Sequence, residues 1–213
     1  MNHLLMFDVV LKDQERLDAL MLDDAEVGST IQRLLGLSVA GIVLYGVVVA
    51  GAQIALAAAP MSHTMAIPAS LTAAFVGALC VCLPSFYFYT QLAGIDASFP
   101  VIAAQALRVQ ATTTVFMLGA LPLYAALAFA SALGVQLFTP DLLLIEGLLL
   151  PFFLGLFGIH ALYRAFTRIA TMLPRTHLRR GRFLTRLVLC WGAVYSAVAP
   201  VALWRMLRFF EVM

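Results

Sequence analysis

The sequence predicts an all-α integral membrane bundle: five transmembrane helices, an N-terminal cytoplasmic amphipathic helix, and a short interfacial helix before the third span. Composition is the first reason. Of 213 residues, 63% are hydrophobic and 11% charged, against roughly 45–50% and roughly 25% in an average soluble domain. With a mean hydropathy of +0.98, too few charges remain to cover a soluble surface, which excludes a soluble enzyme, a disordered chain and a disulfide-stapled secreted domain. The second reason is segment length. A bilayer core takes about 20 apolar residues as helix, and five runs reach that length, at about 34–56, 69–90, 112–135, 142–165 and 183–204. The third is pattern: the runs are continuous, without the period-2 alternation of a membrane β-barrel.

Taken in order, residues 1–30 form an acidic arm and 31–213 the five-span domain. Seven of the eleven acids precede residue 27: Asp8, Asp13, Glu15, Asp18, Asp23, Asp24 and Glu26. Within residues 4–22, Leu17, Leu20 and Met21 keep a helical spacing. A helix that lies on lipid normally carries a basic polar face; this one is acidic, so it is expected to dock onto protein, with Asp13, Glu15 and Asp18 as docking residues. The first residues have neither a basic stretch nor a small-residue cleavage site, so no cleaved signal peptide is expected. Four of the spans contain a proline, Pro84, Pro122, Pro151 or Pro200, which membrane helices tolerate and which marks a kink. Before the third span, Ser98 or Asp96 caps a short helix with Pro100 in its first turn. Its apolar Val101, Ile102 and Leu107 are interleaved with Gln105, Arg108 and Gln110.

Loop charges give the orientation. Lys12, Arg16 and Arg33 precede the first span, Arg108 lies between the second and third, and seven arginines from Arg164 to Arg186 follow the fourth. The other two loops have none. The N-terminus is therefore expected inside and the C-terminus outside, with Arg205 and Arg208 at the C-terminal end snorkelling to the interface beside Trp204. Twelve arginines to one lysine suggest a GC-rich bacterial genome, and so a bacterial inner membrane. The cluster Arg175, Arg179, Arg180, Arg182 and Arg186 sets topology. It also suits anionic headgroups, at roughly 1 kcal/mol per basic residue near the surface, or the acidic arm of the same or a neighbouring chain. The net charge of +2 makes no case for nucleic acid.

Polar residues inside spans are candidate path or site residues, because burying them in lipid is costly. Glu146 is the clearest, on one helix face with Leu150, Phe153, Phe157, His160 and Arg164. Glu146 and His160 lie about 21 Å apart along that helix, too far to share a metal or act as an acid–base pair. Glu146 otherwise pairs with a neighbouring helix or reaches the headgroups; His160 reads as a hydrogen-bonded packing residue. Gln53, Tyr195 and Ser196 are placed to bond across helices, and Gly36 with Ala40 and Gly46 with Ala50 permit close helix approach. The run Phe86–Tyr89 reads as an interface belt or a docking face for a helix. Cys80, Cys82 and Cys190 read as small buried hydrophobes. Motifs for nucleotide, metal, nucleophilic or redox chemistry are absent. No cofactor, no metal and no catalytic residue is expected.

The layout is similar to the bacterial branch of the Yip-domain superfamily, which has a cytoplasmic N-terminus, five spans and a short external C-terminus. The likeness rests on the turn from Gly94 to Ser98 and Phe99, on the helix to Arg108 that feeds the third span, and on Gly158-Ile159-His160-Ala161-Leu162-Tyr163-Arg164. It implies a membrane adaptor or organiser without catalytic residues. Eukaryotic members bind small GTPases and shape vesicle membranes, but no such partner carries over to bacterial ones. The functional expectation is a non-enzymatic subunit that anchors, assembles or regulates a larger membrane complex, with lipid and a protein partner or a second copy as its contacts. The alternative is a transport or channel subunit whose ion or proton path uses Glu146.

Overall fold

A computed structural model describes residues 3–23, 25–56, 64–92, 97–135, 138–172 and 178–209, without the side chains of 3–6, 14, 22, 168–172 and 178–185. Among the described residues every regular element is a helix. These are α1 (His3–Lys12), α2 (Gln14–Leu22), α3 (Val27–Ala55), α4 (Ala66–Leu92), α5 (Phe99–Ala132), α6 (Pro140–Met172) and α7 (Leu178–Phe209). The last five are each long and apolar enough to cross a membrane. Their outward faces are apolar too: Val81, Leu123, Phe129 and Phe153 are each about two-thirds exposed. A water-soluble protein does not present such a surface on every side, and the chain is that of a multi-pass membrane protein.

The five long helices close into a ring. α3 packs on α4 and α5, α4 on α7, α7 on α6, and α6 on α5, while α5 also reaches α4. Small residues set the closest approaches. A methyl group built on Gly46 of α3 would sit 2.6 Å from the Pro68 backbone of α4, and one on Gly158 of α6 would sit 2.5 Å from the Val109 carbonyl of α5. Gly41 of α3 likewise abuts Thr114 of α5, whereas Gly36 faces open space. Of the small pairs read from the sequence, the one with Gly46 makes a helix contact and the one with Gly36 does not.

Two sequence expectations need correction. Residues 4–22 are not one helix. Asp13 breaks them, accepting a hydrogen bond from the Arg16 N–H at 3.0 Å as the N-cap of α2; an aspartate satisfies a new helix start better than it continues an old one. Nor is there a separate interfacial helix before the third span. Ser98 does stand at the N-cap, with Pro100 in the first turn, but α5 then runs unbroken for 34 residues to a Schellman turn. There Gly134, at φ 88°, lets Val135 N–H reach the Ala130 carbonyl.

Length explains what the extra residues do. At 1.5 Å per residue, α5 is about 51 Å long against a hydrocarbon core of about 30 Å. The first third of α5 therefore extends beyond the apolar stretch. The starts of α3 and α7 and the ends of α4 and α6 lie at this same end, because neighbouring helices alternate in direction. Here α1 and α2 pack on α3 and α5, burying Val9, Val10, Leu17 and Met21.

Candidate functional site

The first half of α5 is enclosed on all sides: residues 101–115 are buried without exception. Six of them are polar, namely Gln105, Arg108, Gln110, Thr112, Thr113 and Thr114. Alanines at 103, 104, 106 and 111 let the surrounding helices close in. Arg108 is the largest fully buried side chain, with 0% exposure, and its guanidinium is ion-paired with Asp18 of α2, whose side chain is 23% exposed. A buried guanidinium without a counter-charge would be costly. Asp18, held by the docked Leu17 and Met21, supplies that charge from the arm. Thr113 returns its hydroxyl to the Val109 carbonyl at 2.8 Å, while the Gln110 carboxamide and the Thr112 and Thr114 hydroxyls find no partner among the described residues.

The counter-charge for Asp18 is thus Arg108, within the bundle, while Asp8 pairs with Lys12 on α1 at 2.9 Å. In the sequence this arginine reads as a loop residue; in the structure Arg108 is fully buried within α5 and ion-paired. Asp8, Asp13, Glu15, Asp23 and Glu26 are exposed. Arg186 is exposed on α7. The side chains of Arg179, Arg180 and Arg182 lie outside the described residues, as do Arg175, Asp24, Asp96, His63 and His177.

At the opposite end of the ring, side chains of α3 and α5 grip the first turns of α6. The Tyr45 hydroxyl donates to the Gly147 carbonyl at 2.8 Å, the Tyr124 hydroxyl to the Leu143 carbonyl at 3.2 Å, and the Gln53 amide to the Pro140 carbonyl at 3.3 Å. The two tyrosine rings are 6.4 Å apart, and Tyr124 lies so close over Gly147 that a methyl there would meet its hydroxyl at 2.9 Å. Glu146, half-buried, is within electrostatic reach of both hydroxyls, and Gln53 sits beside Tyr124. Gln53 therefore bonds across helices, as its position in the first span implies.

His160 joins neither cluster. It is exposed, and so are Phe153, Phe157 and Arg164 on the same face of α6. That face points away from the ring, with Phe157 stacked on Phe116 at 4.6 Å. Along α5, Thr114 and Tyr124 are about 15 Å apart, separated by apolar residues, so the two polar clusters do not merge.

The aromatic run at the end of α4 divides. Phe86 is fully buried, 4.7 Å from the ring of Trp191 and 5.5 Å from that of Phe166, while Phe88 and Tyr89 point outward. Trp191 stacks on Tyr195 and donates its indole N–H to the Cys82 carbonyl at 3.1 Å. Cys82 is buried, Cys80 and Cys190 are exposed, and all three are free thiols. Among the described residues no three metal-ligating side chains converge. No family model, no curated protein and no solved structure matches the chain.

Proposed function

We propose that the chain is a non-enzymatic subunit of a bacterial inner membrane, with its N-terminus cytoplasmic and its C-terminus outside, that anchors or assembles a larger membrane complex. Its docking elements are the outward acids of α1 and α2 and the arginines at the junction of α6 and α7, Arg175 in the connection and Arg179, Arg180, Arg182 and Arg186 on α7. One observation carries the reading. The Asp18–Arg108 ion pair, with Leu17 and Met21, fastens the arm to the end of the bundle. Asp8, Asp13, Glu15, Asp23 and Glu26 face outward on a fixed platform instead of a loose tail. A membrane organiser without catalytic residues is also what the Yip-like layout of the sequence implies.

The test spares the buried pair. Asp8→Asn, Asp13→Asn and Glu15→Gln are changed together, and what co-purifies from native membranes is identified by mass spectrometry at low and raised salt. A stoichiometric partner that is lost in the variant and at raised salt is the expected result, since exposed charges are screened. A partner held equally by both chains, or none, overturns the docking role.

A second reading, a transport or channel subunit, is favoured by the grouping of Glu146, Gln53, Tyr45 and Tyr124 at one end of the ring. The apolar stretch of about 15 Å between this group and Thr114 weighs against a continuous path. Proton flux across liposomes that is abolished by Glu146→Gln would favour this second reading.

A further inference from the structure

A groove of about 180 Å³ opens on the outside of the ring between α6 and α7. Its lining is almost wholly apolar and includes Ile145, Leu149 and Phe152 from one helix and Leu203, Trp204 and Leu207 from the other. The two helices run antiparallel, so residues 145–152 lie opposite residues 207–200. The groove is then about 10 Å long, most of a leaflet of about 15 Å. That length and an apolar lining suit one acyl chain within one leaflet.

The polar end of this slot carries two positive charges. Arg205 and Arg208 are exposed, and their guanidinium carbons lie 5.5 and 5.0 Å from the centroid of the Trp204 ring. Trp204 therefore does two things: it walls the groove and it holds both cations beside the mouth. Stacking occupies the flat face of a guanidinium and leaves its N–H edge free for a phosphate, which it can bind in bidentate fashion. Among the described residues neither guanidinium is ion-paired with a carboxylate. Asp141, one turn from Ile145 at the start of α6, and the half-buried Glu146 beside Ile145 are described acids at this end.

We infer that this groove binds one anionic phospholipid, with its phosphate on Arg205 and Arg208 and an acyl chain between α6 and α7. Charge complementarity names the occupant: a second protein helix in the groove would set its own apolar face against two unmatched cations. The inference also accounts for two arginines at the end of the bundle where the loop charges are otherwise sparse. It stands apart from the docking role, which uses the opposite end.

The test is native mass spectrometry of the full chain in mild detergent, titrated with phosphatidylglycerol or with phosphatidylcholine of the same acyl chains. The wild type is expected to retain phosphatidylglycerol at least tenfold better. Arg205→Gln with Arg208→Gln should bring its retention down to the phosphatidylcholine level, and Leu149→Trp, which fills the groove from an exposed position, should lower retention at least fivefold. Arg164→Gln, an exposed arginine near the other end, should change nothing. Equal retention of the two lipids by the wild type overturns the proposal. So does undiminished retention in either groove variant, or a dimer in lipid-free detergent that Leu149→Trp dissociates. Monodisperse elution and an unchanged helical circular dichroism spectrum establish that each variant is folded.

Discussion

The Tyr45 hydroxyl donates its hydrogen bond to the carbonyl of Gly147, the carbonyl that Pro151, four residues later, leaves without its helical N–H donor. A side chain from α3 thus completes the backbone bonding of α6 at its proline. The adjacent Tyr124 closes over Gly147, which keeps water and lipid from that carbonyl.

This pairing makes the effects of two substitutions interdependent. Tyr45→Phe alone removes the donor and should destabilise the protein by about 0.5–2 kcal/mol. In a Pro151→Ala background the backbone N–H is restored, and the same change should cost less than about 0.5 kcal/mol. Denaturant unfolding of the four chains in detergent measures the coupling; additive effects would mean that the hydroxyl does not serve the proline.

The ion pair between the arm and α5 is also a stability statement. Asp18→Asn leaves the Arg108 charge buried without its counter-charge and should cost about 3 kcal/mol, the lower end of the range for breaking a buried pair, because Asp18 is partly exposed. Replacing both residues by leucine should recover most of that loss. Asp13→Asn should change stability by less than about 0.5 kcal/mol, since asparagine caps a helix as well as aspartate does. Thermal unfolding in detergent ranks the four chains. Equal midpoints for wild type and Asp18→Asn would show that the pair contributes nothing.

The glycines separate into two kinds. Gly158→Ala sets a methyl against the Val109 carbonyl and the Thr113 hydroxyl, where backbone cannot give way, and should destabilise by about 1–3 kcal/mol. Gly36→Ala meets nothing and should stabilise α3 by up to about 1 kcal/mol through helix propensity. The sign of the difference between the two variants, read from the same unfolding measurement, is the check.

The five spans are legible in the sequence because twenty apolar residues in a row have few other uses. Gln53 was legible for the same reason, as a polar residue in an apolar run. Arg108 was not. Gln105, Arg108 and Gln110 dilute the apolarity of residues 101–110, so the segment reads as a helix at the interface, and the arginine as a loop charge. The available signal was the alanines beside it, which admit neighbouring helices on every side. His160 illustrates the opposite failure. Helical periodicity puts it on one face with Glu146, but periodicity carries no sign for which face turns inward. The Pro151–Tyr45 relation was hidden because it joins residues on different helices and one of its partners is a backbone atom.

The partners of the buried ion pair are 90 residues apart, and a ribosome makes Asp18 long before Arg108. Until α5 emerges, Asp18 lacks the Arg108 charge, and the first two spans must enter the bilayer without that anchor. Capture of Asp18 becomes possible only once residue 108 has been translated. A nascent chain halted before residue 108 should therefore still have residues 3–22 open to a protease.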